Sequence, residues 1–286
     1  MSIRIYGKIR KTIRGNRPNP FYCDWRPDDS WRLVNITTAS PEWGRALSPM
    51  FVGPVDIPGV DPAATAVNIE SAWQYAKVYG WVQNQVGQWE RHVGADLNPT
   101  PEWWAFARAG WAQARFDVNH PDFKAWKGVL RRPVVRLPKA KEKPQPTFAW
   151  WNGRRITYIE GRQAVYGQLY CDLIVKTEVF GRLKAMYDRG DDIALFDFDG
   201  TDHVGLGRSY EDLLNDPGRP FGHGLLLCML LEGVKLADLK IREEHTFEYQ
   251  RQHNLLRFDR GMAAQPQQPD RRICARLRRV GVLGIQ

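Results

Sequence analysis

Cysteine is scarce in this chain. Only Cys23, Cys171, Cys228 and Cys274 occur in 286 residues, and no two of them form a C-x-x-C pair. That spacing excludes a zinc knuckle or a dithiol redox motif, and it leaves the cysteines to be read as reduced and buried. No apolar run reaches the roughly 18 residues of a membrane span, and the N-terminal MSIRIYGKIRKTIRG carries charge throughout in place of an apolar signal core. A soluble, cytoplasmic protein with no membrane partner is therefore expected. In that setting the Asn-x-Thr at Asn35 has no glycosylation meaning.

Acidic charge is also short. Lys and Arg number 41 against 32 Asp and Glu, a net charge of +9. Such a surplus favours anionic partners such as nucleotides, nucleic acid or anionic lipid, although a role in solubility alone would produce the same balance. Aromatic residues are plentiful, with 12 Trp, 10 Tyr and 12 Phe, and the 43% apolar content is enough for a sizeable core.

Along the chain, WRLVNITT suggests a strand among Pro and Gly turns. Asn68 to Val93 contains no Pro and places Ile69, Trp73, Ala76, Val78 and Trp81 at helical spacing, which predicts one amphipathic helix. PEWWAFARAGWAQARF predicts a second helix, with Pro101 at its start and Glu102 in its first turn. The Pro- and Lys-rich RRPVVRLPKAKEKPQPTF reads as an extended connection. RRITYIEG is expected to be a strand, AVYGQLYCDLIVKTEVFGRLKAMYDRG one or two helices ending at Gly190, DIALFDFDG a buried strand, and FGHGLLLCMLLEG a short apolar helix. The closing AAQPQQPDRRICARLRRVGVLGIQ reads as a weakly packed basic tail.

The stretch LFDFDGT matches the Asp-x-Asp-Gly-Thr signature of haloacid-dehalogenase-like phosphatases, with Asp197 as nucleophile and Asp199 as acid and base. Such a domain needs several β-α units after its first strand. Only 86 residues follow Gly200, and they hold no such series. The alternative is a buried strand that ends in an acidic glycine turn.

Two other segments resemble a different family. Leu47 to Tyr79 opens with Leu-Ser and reaches a helix in which Glu70, Gln74 and Lys77 stand at Glu-x-x-x-Gln-x-x-Lys spacing. Asp202 to Gly233 carries Asp202, Gly205 and Gly207, followed by the apolar GHGLLLCML. In this order and separation they resemble the NADAR (YbiA-like) superfamily of N-glycosidases, with Val204 where that family has Trp. Positions i, i+4 and i+7 share one helix face, so the first motif can aim its three polar groups at one cleft; a solvated helix face has the same spacing.

The resemblance implies an α+β fold, mainly helical, with a single NADAR-like core and basic N- and C-terminal extensions. The organisation that follows is residues 1–46 as a basic N-terminal extension, 47–260 as the core with a Trp- and Pro-rich insertion at about 100–148, and 261–286 as a basic tail. The implied activity is cleavage of a ribose–base or ADP-ribosyl N-glycosidic bond without metal or cofactor. Glu70 and Asp202 would be catalytic, and Gln74, Lys77, Trp73, Gly205 and Gly207 would bind a nucleotide or ADP-ribosylated substrate. Positive charge develops on the ribose ring as such a bond breaks, and a carboxylate can stabilise it. Lys77 would neutralise a phosphate and Gln74 would hydrogen-bond ribose or base.

His203 and His223 are left outside the catalytic set. GLGRSY lacks the third Gly and the Lys-Ser/Thr of nucleotide loops. The competing class is a non-catalytic, phage-type nucleic-acid-binding protein that uses basic runs such as KIRKTIRGNR and RRICARLRR with interleaved aromatics.

Overall fold

The computed structural model describes residues 2–7, 12–13, 17–18, 25–83, 89–112, 146–198 and 200–256, and the fold is given for these. Helix outweighs strand, 42% against 16%, in an α+β arrangement.

The organising unit is a three-stranded parallel sheet. β12 (Ile193–Phe196) lies between β1 (Ile3–Tyr6) and β4 (Arg32–Asn35). Ile193, Ala194 and Leu195 are fully buried, as the continuous apolar run of a central parallel strand requires. Side chains alternate along each strand, so Ile5, Leu195 and Val34, aligned in register, face one side, while Arg4, Tyr6, Phe196 and Leu33 face the other. On the first side, Gly224 of α8 (His223–Leu231) lies close to Ile5 and Ile36. A Cβ at Gly224 would stand 3.3 Å from the Ile5 Cδ1.

Residues 1–46 therefore differ from a basic extension, because two of their segments form the outer strands of the sheet. Ile3, Ile5, Val34 and Ile36 belong to the core. Of the remaining N-terminal elements, β2 (Thr12–Ile13) pairs with β3 (Arg17–Pro18).

A second region surrounds α1 (Ile69–Ala76). It is preceded by a hairpin of β5 (Val55–Ile57) and β6 (Ala64–Ala66), and Asn68 caps it by accepting a 2.8 Å hydrogen bond from the Ser71 amide. The expected helix to Val93 stops at Ala76. Lys77 turns to the extended ψ of 129°, and β7 (Lys77–Val78) pairs with β10 (Phe148–Trp151), which also pairs with β11 (Arg154–Ile156). A second hairpin follows, β8 (Trp81–Gln83) against β9 (Trp89–Arg91). The apolar spacing continued past Ala76, but a β-branched and aromatic stretch broken by Gly80 pairs into sheets once distant partners exist.

Helix α2 (Pro101–Trp111) forms as its sequence predicts, capped by Thr100, with Trp103 and Trp111 fully buried. RRITYIEG divides into β11 and the start of a helical run: α3 (Tyr158–Gly161), a π-helical turn (Arg162–Gly167) and α4 (Gln168–Ile174). Helix α5 (Glu178–Asp188) precedes Gly190, whose φ of 91° suits glycine. After β12 come α6 (His203–Leu206), α7 (Tyr210–Leu214), α8 and α9 (Phe247–Gln252). Most of the proposed insertion at about 100–148 and the tail at 261–286 lie outside the described residues.

The Arg162 side chain, 2% exposed, donates to the carbonyls of Leu213, Leu214, Asp216 and Arg219. It ties the π-turn to the loop that leads into α8.

A Cβ on Gly110 of α2 would sit 2.0 Å from the Tyr75 ring. Helix propensity favours Gly110→Ala by about 1 kcal/mol, but overpacking against a fully buried ring costs about 1–3 kcal/mol. Urea titration should show net destabilisation; a stabilised variant would contradict the close approach of the two helices.

His92 is fully buried, its ring centroid 5.0 Å from that of Phe106, and burial pushes its pKa down from 6.5 to about 4, against a smaller opposing pull from Glu102. The folded state thus holds His92 neutral. Its stabilising contribution is present above pH 6.5 and is lost as pH falls from 6.5 toward 4. The loss is on the order of 3 kcal/mol. His92→Phe should flatten the stability profile across that window, measured by denaturant unfolding; an unchanged slope would contradict it.

Candidate functional site

Helix α1 turns Ile69, Ala72, Trp73, Tyr75 and Ala76 into the core, which leaves its remaining face for polar groups. Along that face, Gln74 Nε2 donates to Glu70 Oε1 at 2.8 Å, and Lys77 Nζ donates to Gln74 Oε1 at 3.0 Å. The Lys77 ammonium also stands 4.4 Å from the Trp73 ring centroid. The three residues singled out by spacing therefore form one hydrogen-bonded line.

Their roles differ from the simplest expectation. Lys77 is only 7% exposed and is engaged by Gln74 and by the indole face, so its ammonium is not held out toward a phosphate. Its effect is to fix Gln74, whose carbonyl accepts from Lys77 and whose amide is then aimed at Glu70. Glu70 is half-buried, and among the described residues its Oε2 has no hydrogen-bond partner.

Trp73 is set in an aromatic wall. Its ring centroid lies 5.8 Å from Tyr158 and 6.3 Å from Tyr166. A Cβ on Gly161 would come within 2.6 Å of the indole, so the glycine allows α3 to approach α1. Tyr158 remains 39% exposed, with the Arg162 guanidinium 4.7 Å from its ring. Neither Tyr158 nor Arg162 was singled out by sequence, because nothing local links them to Trp73.

Asp202 belongs to another element. It is 2% exposed, and Arg4 of β1 donates to it through Nη2 at 2.6 Å and Nε at 3.4 Å. Nothing local points to this partner, which lies 198 residues away. A Cβ on Gly205 would meet the Asp202 carboxylate at 2.3 Å, and Gly207 has a left-handed φ of 59° at the end of α6. Both glycines thus have backbone and packing reasons for their positions. Among the described residues no hydrogen bond or ion pair joins Glu70 directly to Asp202.

The histidines beside this loop are engaged. Tyr210 Oη donates to Glu232 at 2.7 Å and lies 3.0 Å from His203 Nε2, and burial lowers the His203 pKa. His223 Nε2 is 3.1 Å from the Ile36 carbonyl, and its Nδ1 is 3.7 Å from the Asp197 carboxylate. Asp197 is 5% exposed and sits at the end of β12, facing the first turn of α8. These contacts match an acidic turn that anchors a helix. Asp199 lies outside the described residues.

Among the described residues no group of three or more His, Cys, Asp or Glu side chains could hold a metal ion, and no helix is long and apolar enough to cross a membrane. No family model, curated protein or solved structure matches the chain.

The Arg4–Asp202 pair is open to a double-mutant cycle. Asp202→Ala leaves a guanidinium that is 17% exposed without this partner and should cost about 3 kcal/mol. Arg4→Met should also destabilise, and the double variant should lose clearly less than the sum. Additive losses in urea titrations would show that the two side chains do not interact.

Proposed function

We propose that this chain is an N-glycosidase that cleaves a ribose–base or ADP-ribosyl N-glycosidic bond in a nucleotide or nucleic-acid substrate, with a NADAR-like core. The observation that supports this reading best is the line Lys77–Gln74–Glu70 beside Trp73. It orients a half-buried carboxylate through an amide that is itself held by a buried ammonium.

Breaking an N-glycosidic bond requires negative charge near C1 of the ribose and a water on the face opposite the departing base. Glu70 meets the first need. One of its oxygens is fixed by Gln74, and the other accepts a proton from that water as it attacks. Gln74 and Lys77 act as positioning residues for Glu70. Tyr158, the exposed ring of the Trp73 wall, offers a stacking face for the base or for the ribose edge. Asp202 acts through Arg4, holding β1 and the α6 loop together, in place of an open carboxylate.

The test is mass-spectrometric detection of free base or ribose product after incubating the protein with NAD, ADP-ribose, nucleotides and ADP-ribosylated DNA. Glu70→Gln preserves shape and hydrogen bonding, and it should reduce release by roughly 10²–10⁴-fold. Gln74→Leu keeps the Glu70 carboxylate but removes the hydrogen bond that orients it, and it should lower the rate less than Glu70→Gln does. Undiminished release by Glu70→Gln overturns the assignment. No release from any substrate, together with salt-sensitive DNA binding, moves the reading to a nucleic-acid-binding protein.

A further inference from the structure

A phosphate-bearing substrate at α1 needs a cation, and the cations described above are already engaged. Lys77 is held by Gln74 and the Trp73 ring, Arg162 donates to carbonyls on the loop before α8, and Arg4 is paired with Asp202. The first turn of α1 offers no free amide either. Ile69 donates to the Val52 carbonyl at 2.9 Å, Glu70 to the Pro49 carbonyl at 3.4 Å, and Ser71 to the Asn68 side chain at 2.8 Å. A phosphate beside Glu70 must therefore be met from a neighbouring segment.

The same bonds identify that segment. Pro49 and Val52 receive the first turn of α1, and the Met50 carbonyl accepts from Asn68 Nδ2 at 3.0 Å. Between Met50 and Val52 stands Phe51, and the guanidinium of Arg45 lies 5.1 Å from its ring centroid. Arg45 is exposed, and among the described residues no hydrogen bond or ion pair engages its side chain, Glu42 on the preceding turn included. Its base is firmly seated. Arg45 belongs to the 3-10 helix Trp43–Leu47, in which Gly44 and Leu47 are buried. The Leu47 carbonyl accepts from Tyr170 Oη, and a Cβ on Gly44 would come within 2.6 Å of the Asn35 carbonyl oxygen at the end of β4.

From this juxtaposition we infer that Arg45, stacked on Phe51, is the phosphate-binding residue of the α1 site, and that the substrate is a phosphorylated nucleotide, free or within a strand, and not a nucleoside. The inference rests on the glycosidase reading for placing the substrate beside Glu70. A guanidinium lying over a ring keeps its planar edge of N–H donors available, and that fork matches two phosphate oxygens. Stacking also restricts the long side chain before the ligand arrives, so less freedom is lost on binding. Arg182 is stacked in the same way, 4.4 Å from the Trp43 ring centroid, but Trp43 lies outside the segment bonded to α1. It provides the control.

Binding is measured by calorimetry on the Glu70→Gln protein, so that turnover cannot consume the ligand. The probes are AMP, adenosine and a short single-stranded oligodeoxynucleotide. AMP should bind more tightly than adenosine. In that background Arg45→Ala should weaken AMP at least about tenfold and leave adenosine nearly unchanged, whereas Arg182→Ala should leave both as they were. Phe51→Leu keeps the charge and removes the ring, and it should weaken AMP by a smaller factor, with circular dichroism to confirm the fold. In the release assay, the loss caused by Arg45→Ala should fall on KM more than on kcat. Tighter, Arg45-dependent binding of the oligonucleotide than of AMP identifies a nucleic-acid strand as the source of the phosphate, and the reverse order identifies a free nucleotide. Equal affinity for AMP and adenosine, AMP affinity untouched by Arg45→Ala, equal losses from Arg45→Ala and Arg182→Ala, or an absence of binding by every probe would each overturn the proposal. Failure of the release assay with Arg45-dependent AMP binding would overturn only the glycosidase reading. Release whose KM ignores Arg45→Ala would overturn only the phosphate assignment.

Discussion

The rest of the structure depends on the burial of β12 between β1 and β4. Ile193 to Phe196 is wholly apolar, and it ends in an acidic glycine turn. A strand of that kind must have both edges paired and both faces largely covered. The chain meets the first demand by bringing residues 3–6 and 32–35 across more than 150 positions of sequence. Once β12 is fixed, Asp197 stands at the start of α8, where the carboxylate meets the positive end of the helix and the His223 imidazole. Arg4 is fixed by the same pairing, and with it the buried ion pair to Asp202. Packing thus accounts for Asp197, the first acid of a stretch that reads as a phosphatase motif. Among the described residues its strand has one parallel neighbour on each side and no series of β-α units beyond.

What could be read from the sequence was what depends on neighbouring residues. Helix α2, the apolar α8, the buried β12 and the first turns of α1 follow from local period and caps. The boundary at Ala76 did not, because Lys77 and Val78 leave the helix to pair with Phe148 and Ala149, some 70 residues on. The role of the N-terminal segment was hidden for the same reason. Ile3 and Ile5 sit in a strongly basic run, and only the presence of β12 makes them core. The proposed site divides along this line. Glu70, Gln74 and Lys77 were legible from a spacing of four and three, whereas Arg4, Tyr158 and Arg162 reach their partners through tertiary contacts alone.

The two polar constellations use charge in opposite ways. At Asp202 a buried carboxylate is matched by a nearby guanidinium, an arrangement that fixes position. Along α1 the buried cation is matched by a neutral amide and an indole face, and the carboxylate lies one step further out, half-buried. Among the described residues no direct ion pair neutralises this carboxylate, and the hydrogen bond from Gln74 orients it, which suits a group that must meet developing positive charge. The Arg45–Phe51 stack adds a third feature, a guanidinium held over a ring in the segment bonded to the first turn of α1.

Native-state hydrogen exchange on β12 tests the central constraint most directly. The amides of Ile193 and Asp197 donate to the carbonyls of Ser2, just before β1, and of Tyr6 at its end, and the Phe196 carbonyl accepts from Ile36 beyond β4. In the full chain the β12 amides should be among the slowest to exchange. Deleting residues 1–7 should release the Ile193 and Asp197 amides and loosen α8. Unchanged protection of both amides after that deletion would contradict a central β12 and make the N-terminal segment the extension that its charge suggests.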